Sequence, residues 1–194
     1  MIALAKNIKT LPDESSVHTA NYLQGYNYVK KENYTTAQGY FTDAVSGIKR
    51  NRTSIKNKAV KDGVLGDATL RAGDCLFKKN NYKEAIKFYD EAITAKYPGY
   101  QYALFQKAII EGLRGNTTDK IIALEDLISK HKTSEFADDA LFQLGLTYQD
   151  IKQASKATDA FKRLVAEYPN SDMVNNALLR LGLVAYNTGN LQTA

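Results

Sequence analysis

Apolar residues recur along this chain three and four positions apart, and short polar clusters interrupt them at regular intervals. Leu141, Leu144 and Tyr148 fall on one helical face, and Ala85, Phe88, Tyr89 and Ala92 on another. Lys79-Asn80-Asn81 and Asn187-Thr188-Gly189-Asn190 are polar turns between such stretches. The pattern predicts paired amphipathic helices joined by tight turns. Tyr168-Pro169-Asn170-Ser171-Asp172 punctuates them. Pro169 stops one helix, Ser171 caps the next, and Asp172 sits in the first turn, where the helix dipole favours an acid. Leu11-Pro12-Asp13-Glu14-Ser15 repeats the device, and His131-Lys132-Thr133-Ser134-Glu135 is the same turn with lysine for proline.

The pairs are copies of one another. Gly25 is followed by Ala37, Phe41 and Ala44 at offsets of 12, 16 and 19, and Gly73 by Ala85, Tyr89 and Ala92 at the same offsets. Gly145 is followed by Ala157 and Phe161, and Gly182 has Ala194 twelve residues on. A degenerate copy is centred on Ala108, where Lys120, Leu124 and Leu127 replace the small and aromatic set. Five units follow, near 18–49, 66–97, 101–132, 138–169 and 175–194, with an insertion at 50–65. Glycine inside a helix costs ~1 kcal/mol relative to alanine. Its recurrence at one offset therefore marks a place where two helices approach closely, with the aromatic ring expected to fill the space against the next unit. The frame places residues 1–10 as a second helix without its first, and stops at Ala194 inside another. Stacked units bury their faces only against neighbours. The expectation is a piece of a longer repeat protein whose uncapped ends associate with one another.

Leu144-Gly145-Leu146-Thr147-Tyr148, then Ala157, Phe161 and Pro169, resembles the tetratricopeptide repeat. The resemblance implies an all-α, right-handed α-solenoid of about five helix-turn-helix units with partial helices at both ends. It also implies a non-catalytic scaffold for protein–protein interaction. The stretched period of 37 and the Tyr-Pro-Asn-Ser turn resemble repeats of bacterial periplasmic proteins, of the β-barrel assembly lipoprotein and Tol–Pal coordinator type. That finer likeness implies the periplasm or cell envelope, with the cytoplasm as the alternative. Carried over residue by residue, the family's groove positions are Tyr22, Tyr26, Leu70, Phe77, Tyr102, Phe105, Phe142, Leu179 and Tyr186. Asp67, Asp74 and Asp139 stand beside them, where a carboxylate-binding member would carry cations, so binding of a chaperone's C-terminal carboxylate is not expected. Two readings stay open: the groove takes a protein or peptide partner, or its residues pack on one another and on other parts of the chain.

Charge changes this picture in one place. Lys and Arg number 26 against 21 Asp and Glu, a net charge of +5. Six of the basic residues (Lys49, Arg50, Arg52, Lys56, Lys58 and Lys61) lie in a stretch without an acid, and the rest of the chain is near neutral. This segment reads as a solvated linker or helix end, or as a contact for a polyanion, nucleic acid included. Nucleic-acid sites interleave aromatic residues with basic ones, and no aromatic residue lies between Phe41 and Phe77. The candidate chemistry is sparse. One cysteine and two histidines make no metal set. Cys75 reads as a buried thiol, with neither His18 nor His131 near it in the repeat order, and no cofactor motif is present. No enzyme is expected, and no apolar run approaches the ~20 residues of a membrane helix.

Overall fold

The computed structural model describes residues 14–187. Residues 1–10 and Ala194, on which the expectations about the chain ends rest, lie outside them. All regular structure among the described residues is helical, and the chain divides into two compact units at Ala103–Leu104.

The first unit holds α1 (Glu14–Val29), α2 (Tyr34–Arg50), a π-helical turn (Ala59–Val64), α3 (Leu65–Lys78), α4 (Tyr82–Thr94) and the start of α5 (Tyr100–Leu113). Two helical hairpins, α1–α2 and α3–α4, close through the same turn. Asn33 donates its backbone N–H to Tyr28 O at 3.0 Å, and Asn81 donates to Leu76 O at 2.9 Å. The residue before each donor is left-handed, Glu32 at φ 56° and Asn80 at φ 59°. This bond from the residue after the left-handed one back to the end of the helix satisfies carbonyls that would otherwise lack partners. Asn33 then caps α2 by accepting from Thr36 N at 3.1 Å.

The core of this unit is Ala37, Phe41, Ala44, Val45, Ile48, Ile55, Val60, Leu65, Ala68, Ala72 and Cys75. Three of these, Ile55, Val60 and Leu65, come from the 50–65 insertion. The segment is therefore no plain solvated linker: it lays apolar side chains on the core and then feeds through the π turn into α3. Fully burying an Ile or Val side chain contributes about 1.5–3 kcal/mol, enough to hold such a segment down. Gly47 makes room on α2 for the buried His18 ring of α1, whose Nε2 lies 3.3 Å from the Asn51 amide nitrogen.

The second unit holds the rest of α5, then α6 (Thr117–Lys130), α7 (Ala137–Asp150), α8 (Ala154–Glu167) and α9 (Val174–Asn187). The same turn closes its hairpins: Asn116 N donates to Glu111 O at 2.9 Å behind Gly115 (φ 82°), and Gln153 N to Tyr148 O at 2.8 Å behind Lys152 (φ 60°). Leu124, Leu127, Leu141, Leu144, Phe161 and Leu164 form most of its core.

The glycine frame is a set of ring seats. A Cβ on Gly25 would come within 2.5 Å of the Phe41 ring, on Gly73 within 2.8 Å of Tyr89, and on Gly145 within 2.5 Å of Phe161. Each ring thus packs against the glycine of its own hairpin, and Tyr89 also meets Tyr102 of the following helix edge to face at 6.4 Å. In the degenerate copy, Ala108 and Leu124 are both fully buried at the corresponding positions.

Candidate functional site

Asp67, Arg71 and Asp74 stand at i, i+4 and i+7 on one face of α3. Arg71 Nε donates to Asp67 Oδ1 at 3.3 Å, and its terminal nitrogen Nη1 donates to Asp74 Oδ2. Tyrosines from three other helices converge on this row. From α1, Tyr22 and Tyr26 both donate their hydroxyls to Asp67 Oδ2, at 2.8 and 2.5 Å. From α4 and α5, Tyr89 and Tyr102 donate to Asp74 Oδ1, at 2.7 and 2.9 Å. The Arg71 guanidinium also lies 5.1 Å from the centre of the Tyr102 ring, a cation–π contact. Tyr22 and Tyr26 meet edge to face at 5.1 Å, and Tyr26 meets Phe41 in the same way at 5.4 Å.

The electrostatics follow from partial burial. Burial, reinforced by the neighbouring carboxylates, pushes the hydroxyls of Tyr26, Tyr89 and Tyr102 above their ordinary range, so all three remain donors. Burial opposes the charge on Arg71, but Asp74 and Asp67 outweigh it and hold the guanidinium above its usual value. Burial raises Asp74, against Arg71 and the hydroxyls of Tyr89 and Tyr102. Two carboxylates face one guanidinium, so the row is net negative. It is also saturated with donors: each acid accepts two hydroxyls and one Arg71 N–H. What it leaves outward is acceptor capacity, on hydroxyl and carboxylate lone pairs, beside aromatic edges.

The acids are tied to tyrosine and arginine rather than to a nucleophile. Cys75 is buried on the same helix, and burial pushes its thiol up to about 11, far from reactive thiolate character. Among the described residues no three His, Cys, Asp or Glu side chains converge as metal ligands, and no helix is long and apolar enough to cross a membrane.

Residues 58–100 and 139–171 each match a model of the tetratricopeptide repeat. These matches support the tetratricopeptide-repeat family. Solved structures agree on the fold. MamA from Desulfovibrio magneticus RS-1 (residues 41 to its end) superimposes with a TM-score of 0.63 at 15% identity, covering 95% of this chain and 90% of that one. The nearly identical TPR-like repeats of a putative kinesin light chain from Podospora anserina give 0.66 at 14%, covering 94% and 91%. BtubC from P. vanneervenii gives 0.72 at 12%, covering 93% and 76%. No curated protein matches the chain. The fold is all-α, of the tetratricopeptide-type α-solenoid class.

On this tetratricopeptide frame the expected groove residues scatter. Tyr22, Tyr26 and Tyr102 meet through the acidic row. Leu70 is 3% exposed and belongs to the interior. Phe77 packs on Tyr82 at 5.7 Å, beside the α3–α4 turn. In the second unit Phe105 stacks on Phe136 at 6.1 Å, and Phe142 tilts onto Phe161 at 5.7 Å. Leu179 and Tyr186 stand in solvent on α9, 63% and 71% exposed. Of the three acids that sequence alone set against a carboxylate, Asp67 and Asp74 are held by Arg71 and four tyrosines, and Asp139 lies apart from them on α7. Arg71 and Tyr89 are the members the groove offsets missed, although the Asp-x3-Arg-x2-Asp spacing on one helical face was a readable signal.

The basic segment is partly spent inside the molecule. Lys49 Nζ pairs with Glu91 at 2.6 Å, and Arg52 with Asp62 at 3.0 Å and with Lys61 O at 2.9 Å. Arg50, Lys56 and Lys58 are exposed, and Lys61 is half-buried.

Proposed function

We propose that the chain is a non-catalytic scaffold that holds a protein partner, and that the first unit binds an extended or helical peptide segment along the α3 row. The observation that carries this reading is the donor-saturated, net-negative row of Asp67, Arg71 and Asp74 set among tyrosines. A face that offers acceptors and ring edges suits a segment bringing lysine, arginine or free backbone N–H groups together with apolar side chains. The stretched repeat and the Tyr-Pro-Asn-Ser turn support a place in a bacterial cell envelope.

The test is affinity capture from a bacterial envelope extract, with partners identified by mass spectrometry. Tyr102→Ala lowers recovery of the specific partner at least tenfold while circular dichroism stays unchanged. Undiminished capture by this variant and by Tyr26→Ala overturns the assignment.

A further inference from the structure

The insertion gathers the excess charge of the chain and leaves most of it without a counter-ion. Lys49, Arg50, Arg52, Lys56, Lys58 and Lys61 follow one another with no Asp or Glu among them, and the rest of the chain is near neutral. Two of the six are neutralised within the molecule, Lys49 by Glu91 of α4 and Arg52 by Asp62. Arg50, Lys56, Lys58 and Lys61 make no ion pair among the described residues, and the first three are exposed.

The backbone that carries these cations is held in place. Ile55, Val60 and Leu65 are buried and anchor the segment on the core. Ser54 N and Ile55 N both donate to Asn51 O at 3.0 Å, and Lys61 N donates to Asn57 O at 3.1 Å. The Asn57 side chain accepts from Ala59 N at 2.9 Å. Arg52 Nη1 donates to Lys61 O at 2.9 Å and so ties the start of the segment to its end. Like charges held close together repel one another, and a loose polar linker would spread them apart. Here three apolar anchors and a set of hydrogen bonds keep them together, so an anionic partner orders little of this segment when it docks.

The ion pairs already made show which anion suits the segment. Lys49 Nζ holds Glu91 at 2.6 Å and Arg52 holds Asp62 at 3.0 Å, each a single side-chain carboxylate on a polypeptide. Rings on which nucleobases could stack are missing from the segment, since no aromatic residue lies between Phe41 and Phe77. Apolar side chains that could enter a bilayer are missing from its surface, since Ile55 and Val60 are buried. We propose that the insertion is a docking surface for an acidic polypeptide segment, whose Asp and Glu carboxylates pair with Arg50, Lys56, Lys58 and Lys61. None of the α3 row residues takes part, and the proposal does not rest on the peptide-binding reading of that row. Exposed ion pairs are individually weak and screened by salt, so the contact forms fast, releases fast and fades as ionic strength rises.

Fluorescence anisotropy on the 194-residue chain tests it with a labelled Asp/Glu-rich peptide, the same peptide with Asn and Gln for its acids, and a single-stranded DNA matched to the first in charge. Vesicles of phosphatidylglycerol and phosphatidylcholine are compared by co-sedimentation. The acidic peptide binds saturably, and its neutral counterpart binds at least tenfold more weakly. The Arg50→Gln/Lys56→Gln/Lys58→Gln variant alters exposed side chains alone, so its circular dichroism and thermal midpoint stay as in the wild type, while its affinity for the acidic peptide falls at least tenfold. Removing the same charge from exposed lysines elsewhere, in Lys78→Gln/Lys83→Gln/Lys162→Gln, changes that affinity less than twofold. Absence of saturable binding to the acidic peptide overturns the proposal. An equal loss in both triple variants overturns it as well, because binding then follows net charge rather than this surface. Tighter binding of the DNA or the vesicles than of the peptide, lost in the first variant, assigns the surface to another polyanion and overturns it too.

Discussion

The two units bind their hairpins together with different chemistry. In the first, α3 is joined to α1, α4 and α5 by two carboxylates, one guanidinium and four tyrosine hydroxyls. In the second, Leu124, Leu127, Leu141 and Leu164 fill the interior, and the polar links are separate single bonds: Tyr148 Oη donates to Glu125 at 2.7 Å, Tyr168 Oη to Lys132 O at 2.8 Å and Lys120 Nζ to Gln143 at 3.5 Å. The ring seat within a hairpin is common to both. The difference teaches that this repeat fixes how a hairpin closes, and leaves open what joins one hairpin to the next. Carbon joins them through bulk, whereas the acid–tyrosine row joins them through direction, because each hydroxyl must point at one oxygen.

The largest expected effect tests the common part. Phe161→Ala and Phe41→Ala each empty a fully buried seat and cost about 3–5 kcal/mol in urea unfolding. If Phe41→Ala costs under half as much as Phe161→Ala, the seats are not equivalent. Next comes the polar row. Arg71→Ala leaves two partly buried acids without a counter-charge and costs about 2–3 kcal/mol. Glu125→Ala, which leaves one Tyr148 hydroxyl unpaired, costs about 1 kcal/mol or less by the same measurement. Equal costs erase the contrast between the units.

A smaller effect concerns pH. Burial raises Asp74 in the folded chain above its unfolded value. The folded chain therefore holds the extra proton in the window just above the ordinary carboxylate range, near pH 4. Stability from this group grows as pH falls into that window and is lost as pH rises through the folded value. Asp74→Asn reduces the pH slope of unfolding there by up to about 1.4 kcal/mol per pH unit. An unchanged slope removes Asp74 from the account. Smallest is the turn. Lys152→Gly and Glu32→Gly relieve left-handed residues at φ 60° and 56°, and each raises the thermal midpoint slightly, by about 0.5 kcal/mol of stability, alike in both units.

The hairpins, their turns and the glycine frame were legible because each is a local pattern with a fixed offset. The full set of contacts each ring makes was not. Spacing says that a small and a large residue share a place, but not whether the pair belongs to one hairpin or two. The left-handed turn residues were equally hidden, since Glu32, Asn80 and Lys152 have side chains and only Gly115 announces itself. The acidic row was half legible. Asp67, Arg71 and Asp74 read as one face, but the hydroxyls that satisfy Asp67 come from residues 45 and 41 positions earlier. No local rule pairs residues so far apart, and the acids read as repulsive until their partners were placed. The insertion misled because five basic residues dominate its composition while three buried apolar ones, Ile55, Val60 and Leu65, fix its position.

The ring seats carry a consequence for how the molecule assembles. Each filled seat joins residues sixteen apart, so every hairpin closes a loop of the same short length. Loop-closure entropy grows only slowly with length, and contacts this close in sequence favour rapid folding. No seat needs a distant segment to arrive first. Any hairpin is a competent nucleus, and under a pulling force or a protease the chain should come apart one hairpin at a time, starting from an end.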